Sequence, residues 1–217
     1  MNEAAEISVQ GHGKVGAMPD SIVITLTVAA IKPDYPDALA TLNERVIAIN
    51  AALARAGAPE SAVTTSYDIA EQWTNQHDSE KRKFHGYKAS QTLKITIPLD
   101  KVLLGSVVTE LAASNAKPGM RTEFIVRDTA AITQAARKHA VEQAKASALD
   151  LAAAAGLELR EVKSIIYTGG GFRNFRNLEM DLDANVMCSF DVTPEVNPDV
   201  IDAEETVNMV WAAIPMN

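Results

Sequence analysis

Three glycines near the start of the chain have the spacing of a nucleotide-binding turn. Gly11, Gly13 and Gly16 form a G-x-G-x-x-G pattern directly after the strand-like run Ile7-Ser8-Val9. In dinucleotide-binding proteins this pattern leads into a helix, whose N-terminal N–H groups hold the pyrophosphate. Here it leads into the β-branched run 21–28, which favours a strand. We therefore predict a glycine-rich β-turn or bulge rather than a nucleotide-binding loop.

Other residue types capable of catalysis or metal binding do not form a recognisable pattern. None of the 4 histidines has a helical i, i+4 partner suited to zinc, and His77 and His85 are better explained as exposed positions of a hairpin. The single cysteine, Cys188, lies among apolar residues, as buried unreactive thiols do. Glu204 and Glu205 are adjacent on a predicted strand and therefore point to opposite faces. We predict no catalytic, cofactor-binding or metal-binding residues, and no enzyme activity.

The composition restricts the class of protein. Hydrophobic residues make up 47% of the 217 residues and charged residues 22%, which is typical of a globular chain. The formal net charge of −8 repels phosphate backbones and argues against a nucleic-acid partner. No apolar stretch is long enough for a membrane span. We predict one domain over residues 1–217, with a division into two lobes, about 1–98 and 99–217, as the alternative.

Hydrophobic periodicity predicts strands alternating with three helices. The clearest alternation of period 2 runs through residues 84–98, the second strand of a long hairpin with an exposed tip. A stripe of small residues at helical spacing predicts close packing of a helix on a sheet or on another helix. Its predicted members are Ala136, Ala140, Ala144, Ala148, Leu151 and Ala155. The predicted helices cover 36–56, 100–115 and 129–155, and the predicted strands cover 5–15, 21–31, 62–73, 84–98, 122–127, 158–167, 185–192 and 203–214.

Two segments are candidates for contact with other molecules. Trp73, His77 and Phe84 lie at the predicted hairpin, where exposed aromatic rings favour a contact between subunits. A second candidate is the predicted loop 169–183, whose glycines could bind an anion through backbone N–H groups. Because acidic residues follow the glycines, and no lysine or helix start does, a flexible surface loop is the favoured interpretation. The residues of this candidate ligand loop are Gly169, Gly170, Gly171 and Arg173.

The chain resembles the SIMPL-domain family in the order of several short motifs. The motifs are the opening run 7–13, Pro19-Asp20 before an alternating strand, and Gly86-Tyr87-Lys88-Ala89-Ser90 leading into a long strand. An alanine-rich helix ending at Gly156 and a terminal strand after Pro198 complete the likeness, which extends over about residues 5–215. The glycines, Pro19, Asp20 and Tyr87 correspond to the family only as structural positions.

The resemblance implies a fold and a class of function. It implies an α+β fold of antiparallel sheets with helices packed on one side. Bacterial members are commonly exported to the periplasm or outer membrane, some are antigens or linked to oxidative-stress defence, and some form large homo-oligomers. An animal relative is associated with kinase signalling, and the family has no established catalytic residues.

From this resemblance we expect a non-enzymatic, self-associating protein of envelope or stress physiology, without a cofactor. The alternative is a small-ligand-binding module that uses residues 169–175. The expected location is periplasmic if a leader has been removed, and cytoplasmic if Met1 is the natural start.

Overall fold

The computed structural model describes residues 5–59, 61–75, 82–173, 178–180 and 197–216. Their strands form two antiparallel sheets, so the predicted α+β fold is confirmed. In chain order the elements are β1 (Ala5–Ala17), β2 (Ser21–Lys32), α1 (Tyr35–Arg55), β3 (Val63–Asn75), β4 (Arg82–Pro98), α2 (Lys101–Ala113), β5 (Gly119–Ile125), α3 (Thr129–Ala154), β6 (Leu157–Arg173), β7 (Leu178–Met180) and β8 (Ile201–Pro215).

One compact unit contains residues 20–125 together with β7. Its five strands have the order β3-β4-β2-β5-β7, and β2 pairs with β4 from Ser21 opposite Pro98 to Lys32 opposite Tyr87. Alternate residues of β2 and β4 are buried, because α1 and α2 cover one face of the sheet. The largest fully buried side chains of this core are Ile22, Ile24, Leu26, Leu42, Ile49, Leu93, Ile97, Leu104, Val107 and Leu111.

The other unit combines the two ends of the chain with α3 and β6. Its three strands have the order β1-β8-β6, with β8 in the centre. Helix α3 begins after Asp128, whose carboxylate accepts the Ala131 N–H at 3.3 Å, as an N-cap side chain does. The helix packs its alanines on β1 and β8 and closes a core that contains Ile7, Val207, Met209 and Trp211.

Most predicted elements agree with the observed ones to within three residues. The exception is β6, which continues to residue 173 and includes residues predicted to form a loop. It pairs with β8 along its length, and that pairing extends the strand through the glycines. Residues 178–180 of the same predicted loop form β7. The predicted strand 185–192, with Cys188, and the predicted hairpin tip lie outside the described residues.

Candidate functional site

The glycines of the N-terminal pattern lie inside strand β1, and the prediction of a turn at this point is wrong. A Cβ on Gly11 would overlap the Ala140 carbonyl oxygen and lie 2.7 Å from Ala144 Cβ. A Cβ on Gly13 would overlap the Ala136 carbonyl oxygen and lie 2.5 Å from the Ala140 nitrogen. These glycines are therefore required because the backbone of α3 lies directly on the strand. The pattern serves packing, and no helix N-terminus follows it.

The predicted small-residue stripe of α3 is confirmed over most of its length. Ala136, Ala140, Ala144 and Ala148 are fully buried, and Ala152 continues the series at the same spacing. Leu151 and Ala155, the last two predicted members, are instead exposed, because four-residue steps keep the buried face on residue 152. The stripe and the β1 glycines together explain why the helix and the sheet approach so closely.

The aromatic residues predicted at the hairpin do form a cluster. The rings of Trp73 on β3 and Phe84 on β4 contact edge to face, with centroids 5.2 Å apart. Phe84 contacts Tyr87 at 5.3 Å, and Tyr87 contacts Tyr35 at the start of α1 at 5.5 Å. We call Tyr35, Trp73, Phe84 and Tyr87 the aromatic cluster. His77, the third predicted contact residue, lies outside the described residues.

The cluster is exposed yet held in place. Trp73 is 48% exposed and Phe84 39%. The indole N–H of Trp73 donates to the Glu71 carboxylate at 3.0 Å, and each ring touches at least one other ring. Ordered, half-exposed aromatic side chains lose little conformational entropy when a partner covers them. The arrangement suits a protein–protein contact.

Gly86 positions the aromatic cluster. From the sequence this glycine is identified only as a structural position. Its φ of +128° lies in the region that favours glycine, and a Cβ there would overlap the Lys32 carbonyl oxygen and approach Pro33. The β3–β4 register shifts at this point, between Gln72 and Trp73. This bulge turns the strands beyond the end of β2 and brings Phe84 onto the face that carries Tyr87.

The predicted ligand loop is not a loop. Gly169, Gly170 and Gly171 belong to β6, opposite Thr206, Glu205 and Glu204 of β8, and Arg173 is opposite Asp202. Backbone N–H groups that face β8 serve the sheet and are not grouped as an anion-binding turn would group them. Ligand binding by these residues stays a prediction.

Sequence reasoning missed a polar network beside these glycines. Glu205 is 5% exposed and accepts a 2.5 Å hydrogen bond from the Tyr167 hydroxyl. Arg137 of α3 donates to the same hydroxyl at 3.0 Å and lies 4.6 Å from the centroid of the Tyr167 ring. The alternation of β8 does signal that Glu205 points inward, since Val207 and Met209 do, but no sequence signal identifies its partners. The network joins α3 to the sheet.

The prediction that Glu204 and Glu205 point to opposite faces agrees with the structure. The Glu204 side chain is 40% exposed and lies 3.9 Å from Lys14, whereas Glu205 is buried.

Within the described residues, no group of three or more histidine, cysteine, aspartate or glutamate side chains is placed to hold a metal ion. Among the described helices, none combines the length and apolar character needed to span a bilayer.

Comparison with known proteins identifies the family. The model of the SIMPL family, described as a protein of unknown function (DUF541), matches residues 7–211. Over 167 residues the chain is 27% identical to the 26 kDa periplasmic immunogenic protein of Brucella abortus (strain S19) and 26% identical to that of Brucella melitensis biotype 1. Each match covers 75% of this chain and 66% of the relative, so it spans just under two thirds of the relatives' length. Neither the family description nor these names denote an enzyme.

Proposed function

The chain belongs to the SIMPL family, and we propose that it is a non-enzymatic protein that works by associating with further copies of itself in the cell envelope. The observation that carries this proposal is the aromatic cluster. It leaves two large rings half-exposed at the end of the described part of a long hairpin, where they are accessible to a second molecule.

The energetics of such a contact depend on its aromatic residues. Tryptophan and other aromatic side chains are enriched among the residues that dominate protein interfaces, each worth about 2 kcal/mol or more when fully buried. Because Trp73 and Phe84 already contact one another, a partner that covers one covers both. The pair therefore acts as a single anchor, and removing both rings tests it most directly.

The test is the native mass of the full chain, measured by light scattering on a sizing column. We expect a discrete oligomer for the wild type and a lower mass for the double variant Trp73→Ser/Phe84→Ser. The matched control is Tyr67→Ser, which removes another half-exposed aromatic from β3 outside the cluster. An unchanged mass in the double variant would exclude the cluster as the contact, and a monomeric wild type would exclude self-association.

The location is proposed from the relatives, which are named as periplasmic proteins. We expect the product of the native gene to fractionate with the periplasm, and recovery in the cytoplasm would contradict this. A role in stress physiology is the finer part of the proposal. Its test is the survival of a deletion strain under peroxide, with and without a copy of the gene carrying the Trp73→Ser/Phe84→Ser change.

A further inference from the structure

The two outer edges of the three-stranded sheet differ in how they are covered. At the β1 edge, no described strand pairs with the outer side either, but the His12 backbone N–H donates to the Gln143 side chain of α3 at 2.5 Å. At the other edge, β6 pairs with β8 on one side, and no described strand pairs with its other side. An uncovered edge presents a row of N–H and C=O groups to any strand that approaches it.

Apolar side chains accompany this uncovered edge. Val162, Ile165 and Tyr167 are 44%, 58% and 47% exposed, although each lies opposite a buried β8 residue on the face that carries α3. Ile166, on the opposite face, is 58% exposed. The helix packs mainly on β1 and β8 and reaches β6 through the contact of Arg137 with Tyr167. Val162, Ile165 and the exposed part of the Tyr167 ring therefore form an apolar strip beside the helix. The buried β8 residues opposite the strip are Trp211, Met209 and Val207.

The charged residues of β6 lie toward its two ends and leave its middle without charges. Natural edge strands are commonly guarded by charged residues that prevent pairing, but residues 164–172 contain none. The whole strand carries three basic residues (Arg160, Lys163, Arg173) and two acidic ones (Glu158, Glu161), a balance of +1 in a chain of formal net charge −8. The charge of this strand therefore adds little to the repulsion between two copies that approach along β6.

We infer that β6 is the site at which a second copy of this chain pairs, strand against strand and antiparallel, about a two-fold axis perpendicular to the sheet. Such an axis keeps both α3 helices on the same face of a continuous six-stranded sheet. It brings the two apolar strips together between the helices, so each strip covers the other. A second copy is the occupant that we infer, because the two-fold axis necessarily places an identical apolar strip opposite the first.

The size of the edge is consistent with a stable contact. A strand of 17 residues extends for about 56 Å, and a sheet is about 10 Å thick, which gives on the order of 600 Å² per copy before the flanks of α3 are added. A standard interface buries about 800 Å² per partner. This inference rests on the proposed self-association and adds a two-fold contact to the one at the aromatic cluster. Two different contacts on one chain allow an assembly larger than a dimer.

The first experiment places a charge at the proposed contact. In Ile165→Lys and Ile166→Lys, we expect the native mass of the full chain to fall to half that of the wild type. The matched control is Ile47→Lys, which charges a 68% exposed isoleucine on α1. It should leave the mass unchanged. Because all three positions are exposed, each variant should retain the wild-type circular dichroism.

The second experiment traps the pair covalently and does not depend on disruption. In a Cys188→Ser background, single cysteines at Ser164 and Ile166 should form disulfide-linked dimers under mild oxidation. A cysteine at the exposed Ser66, on the β3 edge of the other sheet, is the control and should stay monomeric on a denaturing gel. If only the Ser66 cysteine formed dimers, the contact would lie at the five-stranded sheet and the inference would be overturned.

The outcomes separate this inference from the proposed function. If the wild type is an oligomer, the lysine variants keep its full mass and the β6 cysteines do not cross-link, then pairing through β6 is wrong while self-association stands. If Trp73→Ser/Phe84→Ser leaves a dimer that Ile165→Lys dissociates, both contacts are supported. If the wild type is a monomer and no cysteine cross-links, both proposals fail together.

Discussion

Replacing Gly13 by alanine tests the packing of α3 on β1 with the smallest possible change. The added methyl group would overlap the Ala136 carbonyl oxygen and lie 2.5 Å from the Ala140 nitrogen. Both obstacles are helix backbone, so no side-chain rotation can relieve the overlap. The helix or the strand must shift by roughly the missing ångström, and the alanines that interlock along α3 must shift with it.

The expected cost follows from overpacking a close-packed contact. Inserting a methyl group into such a site typically costs about 1–3 kcal/mol, and more where the neighbour cannot rotate away. Since the obstacle here is backbone, we expect a loss of about 3 kcal/mol. For a protein of this size that corresponds to a decrease of roughly 6–12 °C in the midpoint of thermal unfolding. It would leave the chain folded at room temperature if its stability lies in the usual range.

The assay is urea unfolding followed by tryptophan fluorescence in a Trp73→Phe background. The chain has two tryptophans, so the signal then comes from Trp211 alone, which is buried in the core beside α3. The matched control is Gly171→Ala on β6, where a new Cβ meets nothing within 4 Å. Alanine is favoured over glycine within a strand, so this control should be unchanged or more stable by up to about 1 kcal/mol.

Two results would refute the reasoning. If Gly13→Ala unfolds within 0.5 kcal/mol of the wild type, a typical surface effect, then the helix does not lie on the strand as closely as described. If Gly171→Ala loses as much stability as Gly13→Ala, the cost comes from strand glycines in general and not from contact with α3.

Three further predictions concern other residues. Gly86→Ala should destabilise the hairpin by about 1–3 kcal/mol, because alanine disfavours the positive φ and its Cβ would meet backbone atoms. Faster amide hydrogen exchange of residues 71–75 would show this destabilisation, and unchanged exchange would contradict it. Tyr167→Phe should lower the free energy of unfolding by about 1–3 kcal/mol, because it removes a donor from the buried Glu205. Glu205→Gln should lower it less, because the amide oxygen still accepts the hydrogen bond, and the reverse order in urea unfolding would count against the network. NAD and ATP should leave the melting temperature unchanged, since Gly11 faces a helix side and not a helix N-terminus; a concentration-dependent increase would restore the nucleotide interpretation.

The sequence predicts elements well wherever one face of an element is buried. The alternation through β4 and the apolar face of α1 each identify a buried side, and Asp128 marks the start of α3. Strand β6 was predicted too short because three consecutive glycines are typical of loops. In the structure the pairing with β8 outweighs that local preference. Pairing partners are not encoded in the strand itself, so its end could not be found from its own residues.

The local part of the candidate site could be predicted from the sequence, and the part that joins distant segments could not. Trp73 and Phe84 are near in sequence on either side of a hairpin, so their contact follows from local pairing. Tyr167 and Glu205 are 38 residues apart, and Arg137 lies on a different element. Bringing these together depends on the order of the strands and on where α3 lies, which no local pattern specifies.

The contact between α3 and β1 shows what signal a sequence can carry over such distances. Glycines two apart on a strand lie on the same face, separated by about 6.7 Å along the chain axis. Residues four apart on a helix lie on the same face, separated by about 6.0 Å. These repeats nearly coincide, so Gly11 can meet Ala140 and Ala144 while Gly13 meets Ala136 and Ala140. A two-residue glycine spacing in a strand, combined with a four-residue alanine spacing in a helix, therefore predicts that the two elements pack closely, and the observed contacts show that they run in opposite directions.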